Sequence, residues 1–153
     1  MLVFLPGQEE IEDMASLLKK HLTEDGDNLA EAVSTPTKDL VQSIRGIGTN
    51  IDEGNHSAIV NGVLVCVLYA ALPPEAQMFA FQPKPDGCTR KIILSTNIAE
   101  TSVTLEGIKY VIDTGKHKTR EFSGATGMES LHVSDISKAQ ASQRSGRAGR
   151  MSA

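Results

Sequence analysis

A chain of 153 residues has room for one domain with a sizeable hydrophobic core. Hydrophobic residues at 40% and charged residues at 22% fit a globular protein, and no apolar run is long enough to cross a bilayer. The net charge of −4 conceals a division: residues 24–56 carry seven acids against two bases, net −5, while residues 84–150 carry eleven bases against seven acids, net +4. The acidic total therefore does not exclude a polyanionic partner, and the basic half is where one would bind.

The opening Met1-Leu2-Val3-Phe4-Leu5-Pro6 has no basic flank and is too short for a secretory signal. Leu2-Val3-Phe4-Leu5, stopped by Pro6-Gly7, predicts a strand buried on both faces and entered abruptly, as at a truncated start. Gln8-Glu9-Glu10 supplies first-turn acids to a helix whose apolar positions are Ile11, Met14, Ala15, Leu18 and Leu22. Residues 23–61 are rich in Asp, Gly, Asn, Ser and Thr with weak periodicity, which predicts a mobile acidic surface insertion with a short helix near residues 38–44. Val63-Leu64-Val65-Cys66-Val67-Leu68-Tyr69 is a second buried strand, and Leu72-Pro73-Pro74-Glu75 opens a second helix, with proline tolerated in its first turn. Lys91-Ile92-Ile93-Leu94 and Tyr110-Val111-Ile112-Asp113 are the third and fourth strands. Residues 116–134 alternate around Gly124-Ala125-Thr126-Gly127 and predict a projecting β-hairpin. Strands alternating with helices predict an α/β fold with a mostly parallel sheet covered on both faces.

Several tempting motifs fail. Cys66 and Cys88 belong to no CxxC pair and read as reduced thiols of a cytoplasmic or nuclear protein, and His21, His56, His117 and His132 lack metal-ligand spacing. Gly115-Lys116 is no P-loop, because the earlier glycine of that motif would fall on Tyr110 and His117 follows the lysine. Gly46-Ile47-Gly48 has neither the preceding strand nor the third glycine of a dinucleotide fingerprint. No Asp-Glu pair closes an apolar strand to hold magnesium.

Two constellations remain. Ser95-Thr96-Asn97-Ile98-Ala99-Glu100-Thr101-Ser102-Val103-Thr104 follows directly on a buried strand, where parallel α/β sheets place their ligands. Its hydroxyls and amide can donate to phosphates, as can backbone N–H groups at a helix start. Gln143-Arg144-Ser145-Gly146-Arg147-Ala148-Gly149-Arg150 sets Arg147 and Arg150 three apart, so one helical turn would put both guanidinium forks on one face, facing a transferring phosphoryl group.

Residues 2–11, 68–74, 95–107 and 143–150 resemble motifs IV, IVa, V and VI of the DEAH-box RNA helicases, in that order, and the resemblance covers nearly the whole chain outside residues 23–61. It implies one domain over residues 1–153: an α/β, RecA-like domain of the P-loop NTPase type, the second of two such lobes in a superfamily 2 helicase. By the resemblance, Gln143 positions the attacking water and Arg147 and Arg150 act as arginine fingers, while Arg144 points elsewhere and is structural. Phe81 stacks on adenine, Thr104 and Glu106 face the ribose (where Asp is commoner than Glu106), and Gly146 lies against the nucleotide. Thr96 and Asn97, the turn at Ala70-Ala71, and Gly7 meet the RNA backbone, and the hairpin at 116–134 helps separate strands. Pro6 replaces a commoner Thr and so removes a hydroxyl and a backbone donor near the RNA path. The sequence also stops at Ala153, before the strand that follows motif VI in the family, which predicts a sheet short of a neighbour.

The implied partners are single-stranded RNA, the first RecA-like domain and the C-terminal domains of a parent chain, and a G-patch-type activator. ATP (or another NTP) with Mg2+ would be held jointly with the first lobe, so this chain alone should not hydrolyse ATP. A non-catalytic RNA- or protein-binding module derived from such a lobe and a DNA-directed helicase of the same superfamily share these motifs.

Overall fold

A computed structural model describes residues 1–29, 57–101, 104–123 and 127–149. In chain order the elements are β1 (Leu2–Phe4), α1 (Gln8–Leu29), β2 (Ser57–Val60), β3 (Val63–Leu68), α2 (Pro74–Phe81), β4 (Arg90–Ser95), α3 (Ile98–Thr101), β5 (Val111–Asp113), β6 (Lys116–Ser123), β7 (Met128–Asp135) and α4 (Lys138–Ser145). One five-stranded sheet runs in the order β2-β3-β4-β1-β5, and β6 and β7 form a separate two-stranded ribbon. The pairs β3-β4, β4-β1 and β1-β5 are parallel, with Cys66 opposite Ile93, Ile93 opposite Leu2, and Leu2 opposite Val111. β2 is the antiparallel exception at the edge.

Alternation along the buried strands divides the core in two. Val3, Leu5, Val65, Val67, Ile92 and Leu94 face one side, where Ile11 and Ala15 of α1 cover them. Leu2, Phe4, Cys66, Leu68 and Ile93 face the other, under Ala80 of α2, Ala99 of α3 and Ile108. Each fully buried apolar side chain contributes about 1.5–3 kcal/mol. The two faces together make the apolar runs read from the sequence the main support of the fold. Both cysteines are free and buried. Burial pushes the Cys66 thiol up to about 11, with nearby Lys91 opposing and Cys88 adding to the rise.

The structure corrects the boundaries of the expected insertion. α1 continues through Leu29, and a Thr23 Oγ1 hydrogen bond to the Lys19 carbonyl at 2.7 Å and a Lys20–Glu24 pair at 3.9 Å brace it at residues 19–24. Residues 23–28 carry no apolar side chain, so periodicity loses sight of the helix. At the other end, Ser57–Val60 pairs with β3 through a tight turn in which Asn61 (φ 49°) and Gly62 (φ 73°) are both left-handed. An Asn-Gly turn of this kind matches the twist of the strands it joins. The short helix expected near residues 38–44 lies outside the described residues.

The hairpin predicted over 116–134 forms. Lys116 pairs with Asp135 at its base and Ser123 with Met128 toward its tip, and Phe122, Met128, Leu131 and Val133 are exposed along it. Tip residues 124–126 lie outside the described residues.

Candidate functional site

The parallel strands give the sheet two distinct edges, one at their carboxyl ends and one at their amino ends. At the carboxyl edge, β3 ends in the turn Ala70-Ala71, both exposed, closed by the Leu72 N–H donating to the Tyr69 carbonyl at 3.1 Å. Beside it β4 runs into Thr96, whose N–H donates to the Leu68 carbonyl at 3.2 Å. The polar run after β4 then divides. Ser95 is fully buried and its hydroxyl donates to the Thr96 carbonyl at 3.0 Å, so it is not open to a ligand. Thr96 is half-buried, Asn97 is exposed, and their carbonyls accept the Ala99 and Glu100 N–H groups at 3.3 and 2.9 Å to start α3. Ser102 and Val103 lie outside the described residues. Gly7, expected to meet the RNA backbone, is buried here: Lys118 of β6 and Glu10 of α1 cover it.

At the opposite edge, α2 descends from the end of β3 and delivers Phe81 to the side where β4 begins. Lys91 fixes that end of the helix, its Nζ donating to the Phe79 and Ala80 carbonyls at 3.0 and 2.9 Å. Phe81 is half-buried and packs, like Phe79, against the second core face. Thr104 and Glu106 are exposed in the loop that enters β5 on this same edge.

The Arg-Gly run joins the edges. Helix α4 starts with a reciprocal cap, the Ser137 hydroxyl accepting from the Gln140 N–H at 3.2 Å while the Gln140 side chain accepts from the Ser137 N–H at 2.9 Å. Gln143 is exposed on its last turn, and the helix ends at Ser145 with Gly146 as its cap. Two tighter turns follow, Arg147 N–H to the Arg144 carbonyl and Ala148 N–H to the Ser145 carbonyl, both at 3.1 Å. Gly149 then adopts φ 78° and donates its N–H to the Ile108 carbonyl at 3.1 Å, which brings the run to the edge of Thr104 and Glu106. Residues 147–149 therefore do not continue α4 as a regular helix, because Gly149 is left-handed. Arg150 itself lies outside the described residues.

Two arginines of the run turn inward. Arg144 is fully buried. Its Nε donates to Glu100 Oε2 at 3.1 Å and its Nη1 to Asp113 Oδ1 at 2.8 Å and to the Lys116 carbonyl at 3.3 Å. Its guanidinium also lies 4.8 Å from the centroid of the Phe4 ring. Arg147 is 7% exposed, and its Nη2 donates to the Glu100 carbonyl. Glu100 thus receives one arginine on its carboxylate and another on its backbone, which locks the run after β4 to the Arg-Gly run. Sequence reasoning passed over Glu100 and Asp113. The available signal was a lone carboxylate amid hydroxyls and small residues, in a chain with an arginine cluster to match it.

Among the described residues, no group of three or more His, Cys, Asp or Glu side chains could hold a metal ion, and no helix is long and apolar enough to cross a membrane.

Residues 18–152 match the family described as the helicase conserved C-terminal domain. The chain belongs to that family. The pre-mRNA-splicing factor ATP-dependent RNA helicase DEAH10 of Arabidopsis thaliana is 43% identical to it over 150 residues, 98% of this chain and 16% of that protein. The human ATP-dependent RNA helicase DHX33 is 41% identical, over 98% of this chain and 17% of its own length. The crystal structure of the E. coli DExH-box NTPase HrpB superimposes with a TM-score of 0.63 at 34% identity, covering 98% of this chain and 14% of that one. The chain thus spans about one sixth of the length of the curated relatives it matches. The mostly parallel sheet with helices on both faces is that of a RecA-like helicase C-terminal domain of the DEAH-box kind.

Proposed function

We propose that this domain is the C-terminal RecA-like lobe of an ATP-dependent RNA helicase, and that it couples a nucleotide at one sheet edge to an RNA backbone at the other. The observation that carries this reading is the bond pattern of Glu100, which ties the run after β4 to the Arg-Gly run through Arg144 and Arg147. A rigid connection of that kind lets a change at one edge be felt at the other.

At the nucleotide edge, the exposed Gln143 orients the attacking water, and the end of the Arg-Gly run directs guanidinium groups at the charge that builds on the transferring phosphoryl group. Arg150 is assigned the finger role most directly, whereas Arg147, bonded to its own lobe, holds the loop that presents it. Phe81 borders the base and Thr104, Glu106 and Gly146 border the sugar and phosphates. The guanidinium groups and the Thr104 hydroxyl suit a polyphosphate, and the Glu106 carboxylate suits the hydroxyls of a ribose. Magnesium would be held by acids of a first RecA-like lobe, which also supplies the P-loop lysine, and hydrolysis therefore needs both lobes. A G-patch-type protein is a candidate activator of the assembled enzyme.

At the RNA edge, Thr96 and Asn97 and the exposed turn Ala70-Ala71 can hydrogen-bond phosphates without reading bases. The test is Thr96→Ala in the full-length protein. Affinity for single-stranded RNA should fall about fivefold, by a similar factor for different sequences, as expected for one lost phosphate hydrogen bond. An unchanged affinity would remove Thr96 from the RNA path. If DNA and RNA of the same sequence bind equally, the 2′-hydroxyl is not read and a DNA-directed enzyme becomes the better reading.

A further inference from the structure

Gly7 closes β1 at the proposed RNA edge, yet its backbone is roofed by a side chain from a distant part of the chain. A Cβ built on Gly7 would meet Cδ and Nζ of Lys118 at 2.8 Å and Glu10 Oε2 at 2.9 Å. The Lys118 ammonium crosses over the glycine to reach Glu10 at 3.0 Å and Glu9 at 3.5 Å in the first turn of α1. A side chain at position 7 would push the ends of Lys118 and Glu10 aside.

Lys118 differs from its neighbours on β6. Lys116 pairs with Asp135 and Arg120 with Glu129, both within the hairpin. Lys118 pairs instead with a different element, so its bonds join the hairpin to the body of the domain above the base formed by the Ile136 N–H to Gly115 carbonyl bond at 2.9 Å. The Glu10 hydrogen bond holds the Lys118 ammonium above its ordinary pKa despite partial desolvation, so it stays charged at neutral pH.

We propose that Lys118 is a latch between the hairpin and the RNA edge: at rest its ammonium is held by Glu9 and Glu10 across Gly7, and an arriving nucleic-acid phosphate takes it from them. This rests on the reading of the carboxyl edge as the RNA side. The exposures suit an exchangeable contact: the Lys118 side chain is 19% exposed, Glu10 38% and Glu9 87%. Partly solvated pairs of this kind hold weakly, so the closely spaced phosphates of a polyanionic strand, each singly charged, can compete with the carboxylates for the ammonium. The buried Arg144–Glu100 pair cannot exchange in this way and stays as the fixed joint. When Lys118 lets go of α1, Gly7 is uncovered and the hairpin is freed from its second attachment, so strand occupancy and hairpin position change together. Lys118 acts here as a positioning residue for the strand.

Two variants of the full-length protein separate this latch from a plain structural clamp. The probe is a fluorescein-labelled oligouridylate, with affinity read by anisotropy over a series of salt concentrations. Glu9→Gln with Glu10→Gln releases Lys118 and is expected to tighten binding about threefold, the scale of one partly exposed ion pair. Lys118→Met is expected to weaken binding and to flatten the plot of log affinity against log salt by about 0.7, the loss of one phosphate contact to a single strand. Opposite shifts establish the latch. Shifts in the same direction, or an unchanged salt slope in Lys118→Met, overturn it and leave a clamp. If the unmodified protein binds no oligouridylate while Thr96→Ala is equally inert, the RNA reading of this edge falls and the latch with it.

Discussion

Arg144→Ala is expected to destabilise the domain by about 3–5 kcal/mol, the cost of removing one partner of a buried ion pair. The Glu100 side chain is 6% exposed, so losing Arg144 leaves a nearly water-free carboxylate without the guanidinium that hydrogen-bonds it. Asp113 Oδ1 and the Lys116 carbonyl lose a donor in the same step, and the Phe4 ring loses the plane that covers it. Urea unfolding measures this as a fall in midpoint at unchanged slope. Arg144→Lys should recover little, because one ammonium cannot serve Glu100, Asp113 and the Lys116 carbonyl while also stacking on a ring. Glu100→Gln should cost less than Arg144→Ala, since the amide oxygen still accepts from Nε and Asp113 still neutralises the guanidinium. A loss below about 1 kcal/mol for Arg144→Ala, the range of exposed pairs, would show that the joint between the two runs is not structural.

Arg150→Ala in the full-length protein is expected to lower kcat for RNA-stimulated ATP hydrolysis by about 10³-fold or more, with a smaller change in KM, as for a group that acts on the charge of the transition state. Arg147→Ala should lower kcat too, but it also removes the bond to the Glu100 carbonyl and should lower the unfolding midpoint. The contrast between the two separates transition-state stabilisation from loop support. Turnover of Arg150→Ala within about twofold of the unmodified enzyme, well below the range of arginine fingers, would remove it from the chemistry.

What the sequence made legible was local. Leu2–Phe4, Val63–Leu68 and Arg90–Ser95 are continuous apolar runs because both faces of a parallel sheet are covered, and such runs announce themselves. The Arg-Gly run and the polar run after β4 are contiguous strings, so their chemistry could be read without knowing the fold. What stayed hidden depends on contacts between distant residues. Arg144 and Glu100 are 44 residues apart, and nothing in either string predicts that the other lies beneath it. Arg147 was read as facing a ligand because spacing alone does not reveal that Gly149 turns the chain back onto Ile108. Gly7 was read as meeting the RNA backbone, and the lysine that covers it was not foreseen because it belongs to a hairpin far along the chain. β2 was missed inside a polar stretch, although Asn61-Gly62 between apolar residues was a readable turn signal.

ATP hydrolysis with and without single-stranded RNA, measured on this chain and on the full-length protein, tests the central claim most directly. RNA-stimulated turnover is expected of the full-length protein and none of this chain, whose described residues hold no group of three or more His, Cys, Asp or Glu that could bind a metal ion. Turnover by this chain alone, or none by the full-length protein with RNA, would contradict the assignment of a lobe that completes a two-lobe motor.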